Sequence, residues 1–317
     1  MSEIVSLGSI NVDRVANAST AELDALEDRY DWFPEPGQTV ERSTIPEGFP
    51  DEADVVFHGG KGANQAAAAA TCGAETLLVG QVGADGREFG VEQRLADAGV
   101  DVSGIETAES APTGTAYVFV DPEGENRIIV RPGANSAIDW ADVRNQYDRI
   151  LDADCLLVQN EIPTEPIAKL FAALATEPER PTVVFDPAPT AGAATLLDHD
   201  VVDFVTPNES EYGVLQPELD AFDGVVVHKR GGDDLVVEGE RSFSVSPPAV
   251  PVTDTTGAGD VLNGFFGARL AAGAPLPDAL EVATTAASLA TRERGARNGI
   301  PTLDAVREFS GANVHRA

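Results

Sequence analysis

Residues 254–260 read DTTGAGD, within the longer stretch PVTDTTGAGDVLNGFFGARLAAG. Two glycines and an alanine stand where a strand-like run stops and a helical pattern starts, and Asp260 then falls in the first helical turn. Two readings fit. In one, the segment is a turn, and its first-turn acid offsets the helix macrodipole by about 0.3–1 kcal/mol. In the other, Gly257, Ala258 and Gly259 form an anion hole, because small residues let backbone N–H groups approach a phosphate at a helix N-terminus.

A second glycine-rich stretch, FHGGKGANQAAAAATCG, covers residues 57–73. It lacks the GxxxxGK[ST] spacing of a Walker loop and is no GxGxxG fingerprint. Gly59, Gly60 and Gly62 surround Lys61, Asn64 follows, and a run of alanines lies behind. A tight glycine pair before a helix lets a compact polar ligand sit against backbone, with Lys61 and Asn64 pointing at its oxygens. The alternative is a helix N-terminus with close helix packing and no ligand. Asn11 and Asp13, taken alone, make a polar turn after the first strand. Asn208 and Glu211 in TPNESE read as a helix N-cap and a first-turn acid.

The elements that must position these groups alternate. Strand-like runs occupy 3–10, 76–82, 155–159, 182–186, 202–206 and 224–228, with helical patterns at 62–73, 86–99, 165–176 and 210–216. Near-continuous apolar strands separated by helices predict an α/β fold, a doubly wound and mostly parallel sheet covered on both faces. The last third turns helical, at 260–272, 277–293 and 302–310. No repeat or linker divides the chain, so residues 1–317 are expected to form one domain. Residues 40–57 and 112–133 break the rhythm with alternating runs such as TAYVFV and NRIIVRP. These predict a small antiparallel sheet acting as a lid, drawn from roughly 12–57 and 112–133. Ser19 and Glu22 open a short amphipathic helix with Leu23 and Leu26, ending near Trp32-Phe33-Pro34, whose aromatics are expected to pack on the lid or a partner.

Charge excludes one class of partner. Asp and Glu total 53 against 21 Lys and Arg, a formal net charge of −32, and the only lysines are Lys61, Lys169 and Lys229. A nucleic-acid binder needs the opposite sign. Acids spread along the whole chain point to a surface adapted to high salt, where the screening length falls to ~3 Å at 1 M. No apolar run approaches the ~20 residues of a membrane span, and the first residues read as a strand rather than a signal peptide, so the expected location is the cytoplasm. Cys72 and Cys155 read as buried thiols, and His58, His199, His228 and His315 have no metal-ligand spacing, which predicts no zinc site.

In order along the chain stand GSINVD (8–13), PEPGQTV (34–40), GGKGANQAAAAA (59–70), GENRIIVRPGAN (124–135), QNEIP (159–163), DPAP (186–189), TPNESE (206–211), KRGG (229–232) and DTTGAGDVLNG (254–264). Each is weak alone; together they resemble the ribokinase branch of the PfkB carbohydrate-kinase family. The resemblance implies transfer of the γ-phosphoryl group of Mg·ATP to a primary hydroxyl of a sugar. It makes Asp260 the base and Gly257, Ala258 and Gly259 the anion hole. It assigns the sugar to Asn11 and Asp13, whose polar ends suit a vicinal diol, with Gly59, Gly60, Lys61, Asn64 and Glu161. It assigns the nucleotide to Asn208, Glu211, Lys229, Gly231, Gly232, Gly259 and Thr284, with Glu211 reaching Mg²⁺ directly or through water. It also implies a monovalent cation, K⁺, at Asp254 and Thr256 with Ala290, Glu293, Gly295 and Gly299, against the alternative of an ordinary loop. A homodimer joined through the lid is implied as well.

The sequence departs from the family's pattern in places. Asp234 stands where the nucleotide loop usually has its second glycine, and Asn160 replaces a leucine. The favoured acceptor is ribose, giving ribose 5-phosphate. The rivals are a ribose 1-phosphate kinase using Arg14 or Arg131 on the substrate phosphate, a nucleoside kinase with its base near Phe57, Tyr117 and Phe119, and a non-catalytic sugar-binding regulator. Arginines of this kind also pair with surface carboxylates.

Overall fold

The computed structural model describes residues 2–314, so His315 lies outside the described residues. In chain order the strands are β1 (Glu3–Leu7), β2 (Asn11–Asn17), β3 (Thr39–Glu41), β4 (Val55–Gly59), β5 (Glu75–Gly83), β6 (Val100–Ala108), β7 (Gly114–Val120), β8 (Asn126–Arg131), β9 (Cys155–Gln159), β10 (Thr182–Asp186), β11 (Phe204–Val205), β12 (Val225–His228), β13 (Leu235–Glu238) and β14 (Phe243–Val245). The helices are α1 (Thr20–Arg29), α2 (Lys61–Thr71), α3 (Gly86–Phe89), α4 (Val91–Asp97), α5 (Trp140–Asn145), α6 (Tyr147–Asp152), α7 (Thr164–Leu174), α8 (Ala193–Leu197), α9 (Glu209–Asp220), α10 (Ala258–Ala271), α11 (Leu276–Ala290) and α12 (Leu303–Val314).

Nine strands form the main sheet in the order β14-β13-β12-β11-β10-β9-β1-β5-β6. From β6 to β12 every pairing is parallel, and β13 and β14 close the far edge antiparallel. The strands are apolar on both sides because both are covered. On β9, Leu156 and Val158 enter the core under α5 to α9, whereas Cys155 and Leu157 enter the core under α2, α10 and α11. The chain leaves β1 for β5 on one side and returns to β9 on the other. The crevice outside the carboxyl ends of these strands is where an open α/β sheet binds ligands.

Two helices on that second face fix the site. Small residues of α2 let α10 approach so closely that a Cβ on Gly264 would lie 2.5 Å from Ala68 Cβ. The alanine run is therefore a helix-packing surface, and it brings the two glycine-rich segments together.

The second sheet runs β3-β8-β7-β2-β4. It corrects the expectation of an antiparallel lid: β2–β7 and β3–β8 pair in parallel, and only β2–β4 and β7–β8 are antiparallel. The reason is directional. The chain enters β2 from β1 and β7 from β6, two parallel strands, so both emerge from the same edge of the main sheet in the same sense. One lid face carries Ala16, Tyr117, Phe119 and Ile129, buried with Leu23, Leu26, Tyr30, Phe33 and Phe49 under α1. The Ser19 N–H donates to the Glu22 carboxylate at 2.8 Å, so the expected capping box forms. Elsewhere the expected helix 86–99 is split by Gly90, in the left-handed region (φ 64°), and the run 202–206 shrinks to two residues.

Candidate active site

At the carboxyl end of β1 the chain turns into β2, and Asn11 is the first residue there. Its Oδ1 accepts from Asn135 Nδ2 at 2.8 Å, and Asn135 Oδ1 accepts from the Ile10 N–H at 2.9 Å. The Asn11 amide nitrogen is thereby turned outward as a donor. Asp13, two residues on, shares its lid face. Burial raises its carboxyl to about 7, against the pull of Arg297 and with the repulsion of Glu161 and Asp260. Gly59 pairs with Asn11 across β4, and a Cβ there would lie 2.4 Å from Asp13 Oδ2. Gly60 follows at φ 88°, where a Cβ would meet the Asn11 nitrogen at 2.6 Å. Here the glycine pair is demanded by backbone shape.

Glu161, just beyond β9, accepts from Ser9 Oγ and from the Lys61 N–H (3.3 Å); Ser9 Oγ itself accepts from that N–H at 2.9 Å. Burial raises the Glu161 carboxyl although Lys61 opposes it. Ser9 was not expected. It is legible only as the polar residue where β1 meets the N-terminus of α2.

Asp260 is 6 % exposed. Its Oδ2 accepts from Asn64 Nδ2 at 2.9 Å and its Oδ1 from Gln65 Nε2 at 3.2 Å, while Lys61 Nζ stands 3.9 Å from Oδ1. A second carboxylate, Asp186 at the end of β10, is 1 % exposed. It takes Lys61 at 3.8 Å and Lys229 at 3.5 Å, with Gln65 Nε2 at 3.2 Å and Asn263 Nδ2 at 2.9 Å. Burial would raise the Asp186 carboxyl, but Lys229 and Lys61 hold it below the usual carboxylate range. Burial would likewise lower the Lys61 ammonium, but Asp186, Asp260, Glu161 and Glu211 together raise it. Two buried acids and two lysines thus form one network. Asp186, Gln65 and Asn263 were missed as site residues, although each lies within a quoted stretch (DPAP, GGKGANQAAAAA and DTTGAGDVLNG).

The expected anion hole would lie at the start of α10. Gly257 adopts φ 76°, and a Cβ there would press 2.7 Å from Ala296 Cα. The first N–H groups of a helix lack intrahelical partners and carry the positive end of its dipole. The Ala258 N–H is engaged by the Thr255 carbonyl at 3.2 Å, so of the three expected donors this one already serves the turn. Lys229 Nζ lies 3.5 Å from where a Gly259 Cβ would be, which adds a positive charge to the hole.

The hole opens into a cleft of about 560 Å³. Asn208, Glu211, Lys229, Gly231, Gly232, Gly259 and Thr284 all line it, together with Lys61 and Asp260. Leu235, Pro247, Pro248, Val250, Val252 and Leu262 give it an apolar wall suited to a flat aromatic ring, and the 247–252 part went unread in the sequence. Asp233 lines the cleft and Asp234 does not. Asn208 and Glu211 also cap α9: the Glu211 N–H donates to Asn208 Oδ1 at 2.9 Å, and the Asn208 N–H to Glu211 Oε2 at 2.8 Å. Capping and cleft lining coexist. Burial raises the Glu211 carboxyl while Lys229 pulls it down.

Asp254 joins two loops beside the hole, its Oδ1 accepting from the Thr256 N–H and its Oδ2 from the Gly295 N–H, each at 2.9 Å. The chain crosses the Ala290 carbonyl at Gly299, where a Cβ would be 2.2 Å from that oxygen. Glu293 is exposed. Among the described residues no group of three or more His, Cys, Asp or Glu gathers as a metal site, so any cation here would rest mainly on carbonyl oxygens.

Arg14 and Arg131 are not brought to the site. By strand alternation they lie on the lid face opposite Asn11 and Asp13. Arg14 pairs with Asp51 at 3.1 Å; Arg131 donates to Thr115 Oγ1 at 3.0 Å and lies over the Tyr117 ring. Tyr117 and Phe119 are buried beneath α1 and offer no base pocket. Asn160 turns into the fold, donating to the Pro189 and Ala191 carbonyls.

Residues 46–303 match the pattern of the pfkB family carbohydrate kinase. The chain is 35 % identical over 263 residues to a ribokinase of Bacillus subtilis, covering 79 % of this chain and 87 % of that one. It is 31 % identical over 261 residues to an ATP-dependent ribose-1-phosphate kinase of Halopiger xanaduensis, covering 79 % and 86 %. A solved ribokinase of Arabidopsis thaliana, complexed with ribose and ATP, superposes with a TM-score of 0.77 at 26 % identity, over 97 % of this chain and 98 % of that one.

Proposed function

Because the chain belongs to the pfkB family of carbohydrate kinases, it is a phosphotransferase with an alcohol acceptor, and we propose that it transfers the γ-phosphoryl group of ATP to the primary hydroxyl of ribose, giving ribose 5-phosphate. The observation that carries this is the meeting of Asp260 with Asn64 and Lys61 on one side and the α10 N-terminus with Lys229 on the other. A hydroxyl at Asp260 faces the positive end of a helix, so the carboxylate takes its proton while the hole and Lys229 meet the charge of the transferring group. Asn11, Asp13, Gly59, Gly60, Lys61, Asn64 and Glu161 would hold the sugar. Asn208, Lys229, Gly231, Gly232, Gly259 and Thr284 would hold the nucleotide. The charge of a triphosphate calls for Mg²⁺, and Glu211 would reach it through water, since both its oxygens serve Asn208.

Free ribose is favoured over ribose 1-phosphate because Arg14 and Arg131 sit on the far face of the lid. A substrate panel scored for ADP release tests this. Ribose is expected to give the higher kcat/KM, and Arg131→Ala is expected to leave it within about twofold. A wild-type preference for ribose 1-phosphate that collapses in Arg131→Ala would overturn the substrate and leave the kinase reading standing. Absence of ADP release with every sugar would instead favour the non-catalytic regulator.

We further propose that K⁺ binds where Asp254 and Thr256 meet Ala290, Glu293, Gly295 and Gly299, with carbonyls as its main ligands. A cation there would stiffen the two loops that frame the hole. Rates in KCl are expected to exceed those in choline chloride at equal ionic strength, with NaCl between them. Equal rates in KCl and choline chloride would remove the site.

The lid face that carries Asn11 and Asp13 continues into Val15, Val118, Ile128 and Val130, none of them fully buried, and Val55 is 46 % exposed. Since α1 covers the other face, a second copy of this chain is the occupant that the remaining apolar face fits, giving a homodimer through the lid. Sedimentation equilibrium should give twice the 33.1 kDa chain mass, and Val118→Glu should return a monomer. A monomeric wild type sinks the idea.

A further inference from the structure

A cavity of about 360 Å³ lies away from the nucleotide cleft, beneath the edge strand β4 and between α2, α4 and the loop 295–300. Its polar side chains are Arg94, Arg297, His58, Asn298 and Thr71, with Phe57 and Ile300 on its apolar side, and no Asp or Glu lines it. In a chain with 53 acids and 21 lysines and arginines, a cavity lined by two arginines and no acid runs against composition. Among the described residues neither arginine forms an ion pair. Arg297 donates from Nε to the His58 carbonyl at 2.9 Å and from Nη2 to the Gly59 carbonyl at 3.2 Å, which leaves Nη1 for a ligand.

Both arginines line the same cavity. Arg94 reaches it from α4 and Arg297 from the loop that follows Gly295. Burial lowers the His58 imidazole, with both arginines adding to the effect, and its Nε2 donates to the Phe89 carbonyl at 2.9 Å. Two arginines that line one cavity, with no acid in its lining, match the charge and fork geometry of a phosphate. The volume falls in the range of small-molecule sites, roughly 300–1,000 Å³, and leaves room beyond the anion.

We propose that this cavity binds a small phosphomonoester, its phosphate held between Arg94 and Arg297 and the remainder packed against Phe57 and Ile300, at a site separate from phosphoryl transfer. Because Arg297 also holds the carbonyl of Gly59, the ligand would sit directly behind the sugar-binding backbone.

Calorimetric titration of the full chain tests it, in fixed KCl, with ribose and a non-hydrolysable ATP analogue saturating the acceptor and nucleotide sites. The titrants are ribose 5-phosphate and, separately, inorganic phosphate. One equivalent of ribose 5-phosphate is expected to bind, more tightly than phosphate, and Arg94→Gln is expected to raise its Kd at least tenfold. Arg94 is exposed on α4, so the variant should keep its melting temperature and its kcat with ribose. No binding, or binding that Arg94→Gln leaves unchanged, overturns the site. Equal affinity for the two titrants reduces the ligand to inorganic phosphate and overturns the phosphomonoester. Blocking the acceptor site rests on the ribose reading; should that reading fail, ribose 5-phosphate in the acceptor site would bind independently of Arg94, so the two failures are distinguishable.

Discussion

Asp260→Asn is expected to lower kcat by about 10²–10⁴-fold, the usual share of a positioned general base. The carboxylate is buried and fixed on both oxygens, by Asn64 at 2.9 Å and by Gln65 at 3.2 Å. The asparagine amide occupies the same volume, so the sugar and nucleotide sites should keep their shape and the Kd for ribose should change by less than a few-fold. The new NH₂ replaces only one of the two oxygens and so meets the donor of Asn64 or of Gln65, and that partner's amide can turn over to accept. Turnover measured beside calorimetric sugar affinity separates the outcomes. Near-wild-type kcat would remove Asp260 as the base, and a parallel loss of sugar binding would make it a binding residue.

Lys229→Met removes a positive charge that serves two anions. One is Asp186, 3.5 Å away; the other would be a phosphoryl group at the α10 N-terminus, where Lys229 stands beside Gly259. Losing one donor of a preorganised anion hole typically costs ~10²–10³ in kcat, and that fall is expected here with saturating ATP. Breaking a buried ion pair usually costs about 3–5 kcal/mol. Asp186 keeps Lys61, Gln65 and Asn263, so the loss of stability should sit at or below the low end of that range. Denaturant unfolding and steady-state kinetics on one preparation distinguish the roles. A stability loss with unchanged kcat would leave Lys229 as only the counter-ion of Asp186.

The Asp186 network also bears on how the site works before substrate arrives. Lys61 spans the two acids, at 3.8 Å from Asp186 and 3.9 Å from Asp260. Its charge keeps two buried carboxylates compatible in one small volume. A sugar hydroxyl entering beside Asp260 would meet an acid already organised by an ammonium and two amides. Such groups need little rearrangement at the moment of reaction.

Much of this was legible in short stretches. The strand–helix alternation predicted the main sheet because an apolar run and its flanking turn residues act within a few positions. The DTTGAGD and GGKGAN segments announced two helix N-termini, since a positive φ at Gly60 and Gly257 is a local demand that glycine meets. The Asn208–Glu211 and Ser19–Glu22 pairs are caps spanning three residues, so they too could be read directly.

What the tertiary structure alone decided involves residues far apart in the chain. Asn64 and Asp260 are separated by 196 positions, and Gln65 and Asp186 by 121, so their meeting depends on how closely α2 packs on α10. Asp186 opens the DPAP stretch, but its role follows from the carboxyl end of β10 facing the same crevice as α10. The direction of the lid strands came from the edge of the main sheet they leave, which no run of alternating residues encodes. The same pleat put Arg14 and Arg131 on the face away from Asn11 and Asp13, because neighbouring residues on a strand point to opposite sides. Local sequence determined which groups stood at element ends; the packing of distant elements decided which of them share a site.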